Sequence, residues 1–426
     1  VTISELLIEE NNDDKPTTKT TKRGESQASN PLVEMIIMEK FSTRRCKGSF
    51  PIFTTVILIL SILVGCGPPV ADLEAIDYTP LPGGDWQVST PAEQGLDPML
   101  VAKLYHDANE LETLYALLIV KNGYLIAEEY FNEGAVDRKN QLQSETKSIT
   151  STLVGIALDQ GCFTSVDQKM LEFFPEVADQ IDDPRKEQIT IRDMLQMRSG
   201  YPWEETDPVL FEALLSANYL HLINDFALTL DPGTKFQYSG LTSHWLGVIV
   251  SRACDTDLKS FAEEKLFSPI DAELGDIWIK NWDGYYIGLA GMHVTARDMA
   301  KYGLLYLNDG EYKGKRVVSA DWVEDSLQRY SEGINISGWI PGITSRYGYF
   351  RDLGYGYQWW SGKAGNRYFN FASGHGGQYV VLLEDLDMVI VTAADPFWQQ
   401  HDDESWKYES AIIKLVGKFI KSLPSK

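Results

Sequence analysis

Ser144 and Lys147 stand three residues apart in Gln143-Ser144-Glu145-Thr146-Lys147-Ser148-Ile149-Thr150, just ahead of the apolar run Leu153-Val154-Gly155-Ile156-Ala157-Leu158. The pattern predicts a helix from Ser144 to about Gln160, and on a helix that spacing brings both side chains to one face. A serine hydroxyl is a poor nucleophile until a neighbouring base accepts its proton. Lysine serves as that base when burial and the positive end of a helix disfavour its ammonium form. The first N–H groups of a helix lack helical acceptors, so the Ser144 amide is a candidate donor to an oxyanion. One turn would then supply nucleophile, base and half an oxyanion hole. The competing reading is an N-cap serine and a solvated lysine.

Two later stretches offer the remaining groups. Asp231-Pro232-Gly233-Thr234-Lys235-Phe236-Gln237-Tyr238-Ser239-Gly240 places Tyr238 in a loop before a helix, where its phenol can project. A phenol beside an ammonium is favoured as phenolate and can shuttle the nucleophile's proton; the alternative is a tyrosine used for packing. Ala372-Ser373-Gly374-His375-Gly376-Gly377-Gln378 lies between two strand-like runs. Gly376 and Gly377 would let backbone approach a ligand, the Gln378 N–H would be the second oxyanion donor, and His375 would lie beside the scissile group. The bland alternative is a glycine-rich hairpin carrying one histidine. The six histidines show no metal-ligand spacing, so neither metal nor cofactor is expected.

The elements that must position these groups follow from the hydrophobic pattern. Tyr115 to Val120 and Tyr124 to Phe131 flank Lys121-Asn122-Gly123 and read as a hairpin. An amphipathic helix precedes it over Asp97 to Asn109. Residues 162–345 read mostly as helices and loops, separated by turn signals such as Asp183-Pro184 and Asn308-Asp309-Gly310. Strands return at Gly356 to Trp360, Arg367 to Ala372, Gln378 to Leu383 and Met388 to Ala393, and a last helix runs from Tyr408 to Leu423. The expected fold is α+β: one antiparallel sheet completed late in the chain, covered by the first and last helices, with a helical subdomain walling a cleft.

The chain has 426 residues and a net charge of −23; its first 65 residues are balanced, so the acidic excess lies in the body and argues against a nucleic-acid partner. Residues 1–37 are polar, lack an apolar period and are excluded from the fold. Lys40, Arg44, Arg45 and Lys47 then precede an apolar stretch from Phe50 to Val64 that is short for a membrane span and suits a signal peptide over 38–65. It ends Leu63-Val64-Gly65-Cys66, which resembles a bacterial lipobox, so Cys66 is the expected lipidation site; an uncleaved N-terminal anchor is the alternative. Residues 66–85 read as a tether and the folded body as 86–426, exported and held at a membrane. Cys162 and Cys254 are left to form either a disulfide or two buried thiols.

The order of hairpin, S-x-x-K helix, helical insertion, Tyr238-Ser239-Gly240, and His375-Gly376-Gly377 strand with a terminal helix resembles the β-lactamase-related serine hydrolases, in particular the class C-like branch. The segments Met194 to Trp203, Leu289 to Ala300 and Tyr355 to Trp360 look like recurring landmarks of that group. Within it the chain is similar to the 6-aminohexanoate-dimer hydrolase and esterase group. The resemblance implies a β-lactamase/penicillin-binding-protein-like fold and an acyl-enzyme on Ser144, with Lys147 its hydrogen-bonded partner and Tyr238 general base and acid. The amides of Ser144 and Gln378 would form the oxyanion hole. Gly240 stands where β-lactamases usually have asparagine, and His375 where penicillin-active relatives commonly have lysine, so efficient β-lactam turnover is not expected. The expected substrate is a small ester or amide; rival readings are a penicillin-binding D,D-peptidase and a non-catalytic ligand-binding relative. Specificity is expected in the loops of 201–235 and 331–355. Trp203 and Trp282 are candidates for an apolar pocket, Trp359 and Trp360 for the core.

Overall fold

The computed structural model describes residues 67–216, 218–336, 349–398 and 404–424. The polar leader, the signal-peptide stretch and Cys66 lie outside the described residues, as do residues 337–348 of one expected specificity loop.

Seven strands form one antiparallel sheet in the order β2-β1-β11-β10-β9-β8-β7. They are β1 (Leu114–Lys121), β2 (Tyr124–Tyr130), β7 (Arg351–Tyr355), β8 (Trp360–Ala364), β9 (Arg367–Gly374), β10 (Gln378–Leu383) and β11 (Met388–Ala394). Two short ladders lie outside it, β3 (Lys139–Gln141) with β4 (His293–Thr295) and β5 (Glu311–Tyr312) with β6 (Lys315–Arg316). The hairpin turn has Asn122 at φ 51° and Gly123 at φ 78°, the two positive values a twisted two-residue turn requires. β1 then pairs with β11, from Leu117 opposite Thr392 to Lys121 opposite Met388, so the first hairpin waits for the last strand.

The described helices of eight or more residues are α1 (Pro98–Ala108), α2 (Thr146–Asp159), α3 (Pro208–Ser216), α4 (Gly240–Ala253), α5 (Ala296–Leu307), α6 (Ala320–Leu327) and α7 (Glu404–Ser422). Alternation along the strands divides the core in two. Leu117, Ile119, Tyr379, Val381 and Ile390 face one side, where Val101, Leu104 and Tyr105 of α1 and Ile412, Val416 and Phe419 of α7 cover them. Leu118, Val120, Val380 and Val391 face the other, against α5 and the helical layer of α2 and α4. Gly303 lets α5 lie close to the sheet: a Cβ there would come within 2.6 Å of Val389.

One expected strand is not a strand. Gly356 to Trp359 form the turn between β7 and β8, with Gln358 at φ 62°. The β-prone aromatics misdirect, because the segment's buried amide is used elsewhere. Gln358 donates to the carbonyls of Met194 (2.9 Å) and Leu195 (3.0 Å), accepts from Ser243 Oγ (2.6 Å), and its carbonyl accepts from Ser148 Oγ (2.7 Å). The turn thus fastens the sheet edge to both central helices.

The segment before Trp86 makes defined contacts with the body. Residues Val70–Glu74 form a short helix, the Leu81 N–H donates to Glu128 (2.8 Å), and Arg297 donates to the Leu81 carbonyl (2.8 Å) and to Asp85 (2.7 Å). Cys162 and Cys254 are disulfide-bonded with Cα atoms 5.1 Å apart, resolving the open alternative and linking the chain just beyond the C-terminal ends of α2 and α4.

Candidate active site

Ser144 sits in a 3-10 turn, Gln143–Glu145, that runs directly into α2. Gln143, just before it, holds φ 50°, a left-handed conformation that a residue with a Cβ adopts only at a cost of about 1–3 kcal/mol. Such strain turns the chain sharply from β3 into the helix. Lys147, one turn on, is 1 % exposed; its Nζ lies 2.8 Å from Ser144 Oγ and donates to the Leu289 carbonyl at 2.9 Å. That carbonyl belongs to the Leu289 to Ala300 segment, which with Gly288 before it is tied to the Ser144 turn and α2: the Leu142 N–H donates to Met292 O (2.8 Å), and Thr150 Oγ1 donates to Gly288 O (2.8 Å). Neither an N-cap serine nor a solvated lysine describes this pair.

Tyr238 is brought to the same place. It ends the loop before α4, and its ring centroid lies 5.1 Å from Lys147 Nζ. Trp203 meets the ring edge-to-face at 5.3 Å and Trp360 stacks on it at 6.1 Å, so the phenol is fixed between two buried indoles. The loop is anchored to the Met194 to Trp203 segment: the Gln237 N–H donates to Met197 O (2.7 Å) and the Gly233 N–H to Arg198 O (2.8 Å). Trp359 and Trp360 are core residues as expected, Trp203 packs against Tyr238, and Trp282 is 74 % exposed.

Gly240 opens α4, but its amide is already taken. Glu204, wholly buried, accepts from Gly240 N (2.9 Å), Leu241 N (3.0 Å) and Ser239 Oγ (2.5 Å), capping the helix whose start fixes Tyr238. A Cβ at 240 would meet Glu204 Oε2 and a Leu289 methyl at 3.6 Å, so a carboxyl and a leucine occupy the neighbourhood where β-lactamases project an amide. Burial raises the Glu204 carboxyl above the ordinary range, against the hydrogen bonds that lower it.

His375, Gly376 and Gly377 form the β9–β10 turn, and Gly374 passes so close to the Ser144 turn that a Cβ would come 2.1 Å from the Leu142 carbonyl oxygen. The glycines serve a different close approach from the one expected. With φ of 86° and 110°, Gly376 and Gly377 run against Pro396 and Ile412, where a Cβ on either would come within 2.5 Å, so it is the chain's own end that demands them. The Gln378 side chain is spent on β11, donating to Ala394 O (2.7 Å) and accepting from Ala394 N (3.1 Å); its backbone amide is what remains as a candidate oxyanion donor.

Sequence reasoning missed three carboxyl groups: Glu204, Glu145 and Glu409. Glu409 is wholly buried on α7 and bonded to His375 Nδ1 at 3.0 Å. Its signal was present, since Glu409 lies three and four residues before Ile412 and Ile413 on the buried stripe of the last helix.

The sheet order, its two helical covers and the serine–lysine pair at the start of a buried helix define the class: a β-lactamase/penicillin-binding-protein-like fold, whose general chemistry is serine hydrolysis. The chain belongs to the beta-lactamase family, whose profile matches residues 115–408. The 6-aminohexanoate-dimer hydrolase of Paenarthrobacter ureafaciens is 29 % identical over 353 residues, covering 79 % of this chain and 86 % of that protein. Among solved structures, EstCE1, described as a hydrolase with promiscuous acyltransferase activity, superposes with a TM-score of 0.56 at 15 % identity, covering 75 % of this chain and 98 % of that one. A penicillin-binding protein from Bacillus halodurans does so with a TM-score of 0.53 at 15 % identity, covering 73 % and 99 %. Family and relative together make this chain a hydrolase.

Proposed function

We propose that this protein cleaves a small ester or amide through an acyl-enzyme on Ser144. The observation that carries the reading is the 2.8 Å contact between Ser144 Oγ and the buried Lys147 Nζ, with the Tyr238 ring against the same nitrogen. In this scheme Ser144 Oγ attacks the carbonyl carbon as its proton passes to the Lys147–Tyr238 pair. The carbonyl electrons move onto oxygen, which the amides of Ser144 and Gln378 receive. Collapse breaks the C–O or C–N bond, and the proton is returned to the leaving group through Tyr238. Water then attacks the acyl-enzyme by the same route and releases the acid and free Ser144. In this scheme His375 faces the substrate, and no step calls for a metal or cofactor. Glu204 beside Gly240 and a histidine at 375 leave few polar handles for a β-lactam, which favours esters and simple amides. The 6-aminohexanoate-dimer hydrolase relative supports the same substrate class.

The test is chemical. A serine-reactive phosphonate is expected to label Ser144, and Ser144→Ala to abolish turnover of p-nitrophenyl esters and ω-amino acid dimers. Lys147→Ala and Tyr238→Phe are each expected to slow acylation by roughly 100-fold or more. Labelling at another residue with Ser144→Ala still active would overturn the assignment. A long-lived radiolabelled penicillin adduct without ester turnover would replace it with the D,D-peptidase reading.

We also propose that the protein is an exported lipoprotein anchored through Cys66. The Cys162–Cys254 disulfide supports an oxidising compartment. Cys66→Ser is expected to move the protein from the membrane fraction to the soluble one; an unchanged distribution would refute the anchor.

A further inference from the structure

Glu409 reaches the β9–β10 turn from α7, an element that none of the three motifs includes. It is 0 % exposed and collects three donors from five consecutive residues: His375 Nδ1 at 3.0 Å, the Gly376 N–H at 3.1 Å and the Tyr379 hydroxyl at 2.9 Å. A buried carboxylate is costly unless its oxygens are hydrogen-bonded, and these three donors fit its acceptor-only chemistry. Two consequences follow for the site. Facing an acceptor-only carboxylate, Nδ1 is the nitrogen that would carry the proton, and in that neutral tautomer Nε2, on the side away from Glu409, is an acceptor. The Gly376 amide is pinned two residues before Gln378, so the start of β10 is held from behind.

We propose that Glu409 is a positioning residue: it fixes His375 in the Nδ1–H tautomer with Nε2 as acceptor, and it sets the turn that carries the Gln378 amide to the oxyanion site. Its kinetic consequence rests on the acyl-enzyme reading; its effect on the tautomer does not. A carboxamide at 409 keeps an oxygen for Nδ1–H and the Gly376 amide and offers its NH2 to the Tyr379 oxygen. Glu409→Gln should therefore preserve the arrangement, whereas Glu409→Ala should release it.

Three measurements test this. In long-range 1H–15N spectra of the intact protein, the neutral His375 ring is expected to carry its proton on Nδ1 in wild type and Glu409→Gln. A proton on Nε2 in wild type would overturn the proposal, whether or not any substrate has been found. On a p-nitrophenyl ester, Glu409→Ala is expected to lower kcat by roughly 100-fold with KM little changed, as a small misplacement in an active site can. Glu409→Gln is expected to stay within a few-fold of wild type. Wild-type kcat in a folded Glu409→Ala would overturn the proposal, as would a loss in Glu409→Gln as deep as in Glu409→Ala. The His375→Ala/Glu409→Ala double variant is expected to lose no more than the worse single variant; losses that multiply would show the two residues acting independently and also overturn it. Failure of Ser144→Ala to abolish turnover would count instead against the acyl-enzyme reading.

Discussion

Glu145 follows Ser144, is fully buried, and among the described residues neither of its carboxyl oxygens has a hydrogen-bond partner. Burial therefore pushes its carboxyl well above the ordinary glutamate range, so folding favours its neutral form. The linkage has a definite sign. With the folded pKa above the unfolded one, the native state binds the extra proton between them, so this contribution is fully present below the unfolded value near 4.5 and is lost as pH rises toward the folded one. Glu145→Gln has no proton to lose. The difference in unfolding free energy between Glu145→Gln and wild type is expected to grow in favour of the variant from pH 5 to pH 8, by up to about 1.4 kcal/mol for each pH unit below the folded pKa, and Tm to follow it. Calorimetry at the two pH values checks this, and a difference independent of pH would remove Glu145 as its source. His244, wholly buried, is shifted the other way: burial lowers its pKa to about 3. Its contribution is present above the ordinary histidine range and is lost as pH falls toward 3, so the two residues narrow the stable range from opposite sides. Neither was legible in the sequence, because a lone Glu or His shows its burial only once distant segments have packed around it.

Among the elements, α2 and α4 carry the most. Ser144 and Lys147 lie at the N-terminal end of α2 and Tyr238 just before α4, while the chain beyond their far ends is joined by the Cys162–Cys254 bond. The helices pack closely along their length, with Gly247 of α4 near Thr150 of α2. The bond spans 92 residues, a separation at which loss of a disulfide costs roughly 2–4 kcal/mol. Cys162→Ala/Cys254→Ala is expected to lose that much unfolding free energy, read as a lower denaturation midpoint. Because hydrogen bonds from Ser148 and Ser243 to Gln358 and from Lys147 to Leu289 also hold the near ends, the folded variant should match wild type in ester turnover. A lost kcat in still-folded protein would show instead that the bond sets the catalytic geometry. Legibility at this scale followed periodicity. The hairpin, α2 and the last helix were readable from spacing and turn residues. The Gly356 to Trp359 turn was not, because aromatic β-propensity conceals a glutamine at positive φ bonded to two helices far away in sequence.

For the molecule as a whole, the sheet joins the chain's two ends, and the segment before β1 is stitched into that junction. Arg297, 6 % exposed, forms two bonds of 2.7 Å with the buried Glu128 of β2, and its remaining donors go to Leu81 O and Asp85. Lys301 stands 3.6 Å from the same Asp85 while bonded to Asp298. Residues 66–85, read as a tether without a core of its own, supply acceptors to these buried cations. The stretch was hard to read because proline and glycine obscure any period, and its fastening is by backbone groups that no side-chain pattern announces. Two N-terminal deletions separate the roles. Protein beginning at Pro68 keeps every contact named above and, produced in an oxidising compartment, is expected to match the full chain in Tm and ester turnover. Protein beginning at Gln87 loses Leu81 and Asp85, and the partly unpaired, buried Arg297 is expected to cost about 3 kcal/mol. Adding Arg297→Met to the longer deletion should recover less than it removes, because Glu128 then loses its bidentate partner. Equal denaturation midpoints for the two deletions would return residues 68–86 to the role of a passive spacer.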